Sequence, residues 1–161
     1  MKKITYLIIF VVLLMYINAC AGYKPIFSSS NIQFEIADYT IEGDKKLGKQ
    51  IYSKLYNLTK SNKKNTETKN IYIKIKVTKE KIAKAKDIAG KILEYKINLD
   101  TNIIVKNYLT GDELLNQDFN YFLSYKVQDQ YSETMKLENQ SIKNLINKTS
   151  QDLLIRLIEN I

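Results

Sequence analysis

Apolar and polar positions alternate with a period of two along three successive stretches of this chain. Ile71, Ile73, Ile75 and Val77 alternate with Tyr72, Lys74, Lys76 and Thr78. Leu93, Tyr95, Ile97, Leu99, Thr101, Ile103 and Val105 share one parity, as do Leu115, Gln117, Phe119, Tyr121, Leu123, Tyr125 and Val127. Successive side chains of a strand point to opposite faces, so these runs predict three half-buried strands. Asn107, Gly111 and Asp112 supply turn chemistry between the last two. Strands joined this closely pair antiparallel, with one face covered and one wet. Further upstream, Ile32, Phe34 and Ile36 alternate, and Tyr39 and Ile41 resume out of phase. That slip predicts a strand over 32–42 with a bulge near Ala37 and Asp38.

Two stretches carry a helical period instead. Gly43 and Asp44 read as a turn and an N-cap, and Leu47, Ile51, Leu55 and Leu58 then recur at helical spacing, predicting a helix over 44–61. Ser61 to Asn65 is a polar loop. Ile142, Leu145, Ile146, Thr149, Leu153, Leu157 and Ile161 form a second stripe, predicting a helix from about Ser132 to Ile161. Such a helix runs about 40 Å at 1.5 Å per residue, close to the length of the longest strands. From Ile82 to Ala89 the pattern weakens before Gly90, and a loosely structured strand end and hairpin are expected there. The fold class expected is α+β: a four-stranded, mostly antiparallel sheet with two helices on one face, in the order β-α-β-β-β-α. Residues 32–161 form a single domain in this reading.

The N-terminus has a different character. Lys2 and Lys3 precede an uncharged run from Ile4 to Ile17, the layout of an export signal. The run is shorter than the roughly 20 residues a spanning helix needs. Ile17, Asn18, Ala19 and Cys20 then resemble a bacterial lipobox, with Asn18 larger and more polar than usual. The reading is a signal peptide at 1–19, a lipid on Cys20, and an anchored leader over 20–31 ahead of the domain. Acyl chains contribute about 0.8 kcal/mol per buried methylene, so two or three hold a protein on a bilayer almost permanently. Ala21 stands where an Asp would resemble an inner-membrane retention signal, so the outer membrane, periplasmic face, is the expected location.

Composition narrows the chemistry. Of the 161 residues, 45% are apolar, enough for a real core. A single cysteine forbids an internal disulfide, and the absence of histidine removes the usual general base and a common zinc ligand. No metal-ligand spacing, Gly-rich phosphate loop or carboxylate pair stands out, so an enzyme is not expected, no catalytic residue is assigned, and no metal or cofactor is expected beyond the lipid on Cys20. The net charge of +8 suits anionic partners. Abundant Lys, Asn and Ile beside scarce Gly and Pro equally fits a genome-wide base bias. The 12 tyrosines are no nucleic-acid platform in an exported chain: Tyr95, Tyr121 and Tyr125 fall on the apolar phase. No nucleic-acid partner is expected.

The segment Cys20-Ala21-Gly22-Tyr23-Lys24-Pro25-Ile26-Phe27 resembles the Cys-Gly-Tyr/Phe-x-Pro-Leu-Tyr start of the LptE family, in particular its alphaproteobacterial members. Ala21 is one residue more than the commonest form carries. These are the lipoproteins of the outer-membrane lipopolysaccharide transport complex, and the element order above is that family's fold. The resemblance implies a plug for the lumen of a large LptD-type β-barrel. Such a plug helps the barrel assemble and assists insertion of lipopolysaccharide into the outer leaflet. A wide barrel has a polar interior, and the even-numbered strand positions here are largely hydrophilic: Lys74, Lys76, Thr78, Glu94, Lys96, Asn98, Asp100 and Asn102. Lys74, Lys76, Lys79, Lys81 and Lys84 are the candidate contacts for lipopolysaccharide phosphates, against the alternative of a solvated loop. Tyr72, Tyr108 and Phe122 lie on the outer phase, where a barrel wall would meet them. Competing functions are a free-standing periplasmic lipid- or ligand-binding lipoprotein, and a structural lipoprotein that contacts peptidoglycan.

Overall fold

The computed structural model describes residues 34–60 and 68–161. The signal peptide, Cys20 and the Gly22–Phe27 segment lie outside the described residues. The elements are β1 (Phe34–Gly43), α1 (Lys45–Lys60), β2 (Lys69–Lys86), β3 (Ile92–Asn107), β4 (Glu113–Lys126) and α2 (Tyr131–Asn160). The sheet order is β1-β2-β3-β4. β1 and β2 are parallel and joined through α1, while β2, β3 and β4 form the antiparallel meander. The order β-α-β-β-β-α is thus the observed one, and the register of β1 slips between Ile36 and Asp38, at the expected bulge.

Local chemistry explains each boundary. β1 ends at Gly43, whose φ of +73° only glycine adopts without strain. Asp44 caps α1: its Oδ1 accepts from the backbone N–H of Lys46 and of Leu47, both at 3.1 Å. The β3–β4 turn is closed by Asn107, whose Oδ1 accepts from Leu109 and Thr110, and by Gly111 at φ +78°.

Both helices pack side by side on one face of the sheet. Ile71, Ile73, Ile75 and Val77 of β2 are fully buried there, with Ile97, Leu99, Ile103 and Val105 of β3. Ile51 and Leu55 of α1 and Leu145, Ile146, Leu153 and Leu157 of α2 cover them. Leu58, assigned to the buried stripe by its spacing, is 37% exposed at the end of α1. No helix among the described residues is long and apolar enough to cross a membrane.

One stretch departs from the sequence reading. β2 continues through Lys86 as a regular partner of β3, with a register irregularity only near Ala83–Lys86. The alternation fades there because β1 and α1 stop short: β1 pairs with β2 only as far as Val77. Inward positions beyond Val77 are Lys79, Lys81 and Ala83, which no longer need to be large and apolar.

Thr101 is the one buried polar side-chain atom among the described residues that lacks a partner. It faces the core between Val77 and Phe119 and is 2% exposed. A buried hydroxyl without a hydrogen bond carries its desolvation penalty uncompensated. Thr101→Val is therefore expected to raise unfolding stability by about 1–2 kcal/mol, read as a higher urea midpoint at unchanged slope.

Candidate functional surfaces

The five lysines singled out from the sequence do not form one cluster. Lys74 and Lys76 project from the open face of the sheet, Lys79 and Lys81 from the helix side, and Lys84 lies in the irregular stretch near the β2–β3 hairpin. Three of them are engaged. Lys74 Nζ is 2.8 Å from Glu42 Oε1 across β1 and β2, and Lys84 Nζ is 2.8 Å from Glu94 Oε1 across β2 and β3. The hydrogen bond and charge of Glu42 raise the pKa of Lys74, and those of Lys84 lower that of Glu94. Lys76 and Lys79 form no ion pair among the described residues, although the charge of Lys79 helps hold Glu138 ionised.

Lys81 centres a polar cluster between sheet and helix. Its Nζ donates to Glu138 Oε2 on α2 at 2.6 Å and sits 4.2 Å above the Tyr95 ring. Tyr125 OH donates to the same Glu138 oxygen at 2.8 Å. Burial pushes the Glu138 carboxyl up, but the Lys81 and Tyr125 hydrogen bonds and the lysine charge outweigh it and hold its pKa below the ordinary 4.5. Burial likewise opposes the charge on Lys81, yet Glu138 and Tyr125 raise its pKa overall. A second tie joins Tyr121 to Asp152 of α2, where burial and then the hydrogen bond push the phenol up to about 12. These groups fasten α2 to β2, β3 and β4 at the ends of the core.

A folded-state pKa below the unfolded one contributes stability above pH 4.5 that is lost as pH falls through the folded value. Glu138→Gln is expected to lower stability at pH 7 by about 1–2 kcal/mol. It should also flatten the loss of stability below pH 4.5, as read from thermal melts at a series of pH values.

The open face of the sheet is largely polar, with Ile82, Ile104 and Phe122 as exceptions, and is knitted across strands. Tyr72 OH donates to Thr40 Oγ1 at 2.8 Å, Asn102 Nδ2 to Asp118 Oδ1 at 2.8 Å, and Asn120 Nδ2 to Asp100 Oδ1 at 2.7 Å. Phe122, 63% exposed, is roofed by Lys96 at 4.2 Å from its ring. Tyr108, 50% exposed, belongs not to this face but to the β3–β4 turn beside Leu109. Among the described residues no group of three or more His, Cys, Asp or Glu side chains is placed to hold a metal ion.

A further feature has no local signature in the alternation. A groove of about 730 Å³ lies beside the first turns of α1, against α2 and over β2. Lys46, Lys49 and Lys54 line one wall, Lys143 the other, and Lys79 comes from β2. These residues are far apart in sequence, and only the absence of acids in α1 hinted at them.

No protein-family model matches the chain, and no curated protein matches it in sequence. Solved structures do share the fold. Lipoprotein B from Nitrosomonas europaea superposes with a TM-score of 0.58 at 17% identity, covering 83% of this chain and 88% of that one. A minor lipoprotein from Acinetobacter baumannii gives 0.57 at 12% identity, covering 80% and 93%. A protein from Caulobacter crescentus assigned as a lipoprotein gives 0.55 at 8% identity, covering 83% and 93%. At these identities the likeness establishes the fold: this β-α-β-β-β-α architecture is one that bacterial lipoproteins use.

Proposed function

We propose that the chain is a lipid-anchored outer-membrane protein of the LptE kind. Cys20 carries the lipid, and the α+β domain seats inside the lumen of an LptD-like β-barrel. There it aids barrel assembly and the passage of lipopolysaccharide. The observation that carries this reading is the open face of the sheet, hydrogen-bonded across its own strands and turned away from the core. A water-filled barrel offers polar walls, and a plug must meet them without lending its apolar surface. The lipobox-like Ile17–Cys20, the Gly22–Phe27 segment, and the fold shared with the lipoproteins of Nitrosomonas europaea and Acinetobacter baumannii support the same reading.

The lysine contacts to lipopolysaccharide phosphates narrow within it. Lys74, Lys81 and Lys84 already neutralise carboxylates and the charge of Lys79 acts on Glu138, which leaves Lys76, on the open face, as the candidate of that set among the described residues. Depletion of the protein from cells tests the function: mature barrel in the outer membrane should fall with it. Undiminished barrel, together with lipid binding by the isolated domain, would favour a free-standing carrier instead.

A further inference from the structure

We infer that the groove between the first turns of α1 and the facing side of α2 receives an acidic polypeptide segment. This rests on the plug reading for the origin of that segment, a loop or strand of the surrounding barrel. Three observations carry it.

The first is the charge of α1. Its sequence KKLGKQIYSKLYNLTK has five lysines and no acid, and no acid stands in its first turn. Lys45 and Lys46 sit at the helix end that favours negative charge, and Lys49 lies one turn from both, so the lysines oppose the macrodipole and one another. A base-biased genome does not explain this. In α2 of the same chain, Glu133, Glu138, Asp152 and Glu159 balance Lys136, Lys143, Lys148 and Arg156. The Asp44 cap offsets only part of this local electrostatic conflict, and the remainder points to a partner that relieves it.

The second is convergence. Lys46, Lys49 and Lys54 on α1, Lys143 on α2 and Lys79 on β2 line one groove, and none forms an ion pair among the described residues, Lys79 acting on Glu138 only through its charge. The two acids in the lining are committed elsewhere. Asp44 caps α1, and Glu138 accepts from Lys81 and Tyr125.

The third is shape. The groove lies between two helices, so a narrow chain enters it and a flat bilayer does not. Leu47, Met135, Ile142 and Ile146 give it an apolar base, while Gln50, Ser53 and Asn139 present groups that pair with a peptide backbone. Aspartates and glutamates on an extended segment match the lysines, in the charge complementarity that fixes register and partner choice.

The test uses the full lipidated chain in cells, with a photoreactive benzoylphenylalanine at Gln50 in the groove or, separately, at Asn98 on the open sheet face. Captured material is identified by mass spectrometry. Each probe is also combined with Lys46→Glu and Lys49→Glu. The inference expects Gln50 to capture an Asp/Glu-rich segment of the barrel, and the charge reversals to abolish that capture. It further expects the reversals not to lower the melting temperature, because acids near the start of α1 suit its dipole. Capture of lipid, of a segment without acids, or of nothing from Gln50, while Asn98 captures the barrel, would overturn the groove assignment and leave the plug standing. So would capture from Gln50 that survives charge reversal. If neither position captures a barrel, the plug reading fails, and the origin assigned to the segment fails with it.

Discussion

Gly43→Ala is expected to destabilise the domain by about 2–5 kcal/mol, a large share of the roughly 5–15 kcal/mol typical of a domain. Two effects add. Gly43 holds φ at +73°, where a Cβ strains the backbone. That Cβ would also fall inside the contact distance of the Val77 carbonyl oxygen, which cannot retreat because it accepts from the N–H of Asp44 at 2.8 Å. The substitution thus strikes the point where β1 closes on β2 and α1 begins. Gly90→Ala is the control. Its φ is +82°, but nothing lies within 4 Å of the added carbon. Only the backbone penalty of about 1–2 kcal/mol should appear there. Equal losses at the two positions, measured by urea unfolding, would show that the close approach at Val77 does not matter.

Ile75→Ala should cost about 2–5 kcal/mol. Ile75 is fully buried, with Ile41 and Ile103 as its register neighbours on the flanking strands. Its removal leaves a cavity that three strands and the helices above cannot collapse together. Ile82, on the same strand but 40% exposed beyond the end of β1, should lose less than about 1 kcal/mol on the same change. The contrast separates the helix-covered face of β2 from its open face, where Ile82 stands opposite Lys96. A loss at Ile82 as large as that at Ile75 would place a second packed layer over the distal half of the strand.

The cover of the helices also explains which parts of the molecule were legible in sequence. Where helices cover the sheet, alternation is strict, and Ile71–Val77 and Ile97–Val105 announce their strands. The bulge at Ala37 and Asp38 was readable because one inserted residue flips the phase. The distal half of β2 was not readable as regular strand, because hydrogen bonding to β3 sustains it with little apolar burial, and backbone pairing leaves no mark on side-chain pattern. The lysines show the same limit at the level of the site. Lys79, Lys81 and Lys84 look like one basic run, yet the pleat and the irregularity near Ala83 divide them, and two of the three meet carboxylates. Glu138 and Glu94 lie on other elements, so no local pattern foretold the pairing. The groove beside α1 gathers Lys46, Lys79 and Lys143 from three elements, and only the tertiary fold brings them together.

In the proposed function a lipid on Cys20 tethers a domain whose core faces its helices and whose open sheet face, largely polar, meets the inside of a β-barrel. Purifying the chain from outer membranes in mild detergent tests that seat. One large β-barrel is expected to accompany it in equal amount through size exclusion. A chain that elutes free of any barrel, or with lipid alone, would contradict the proposal.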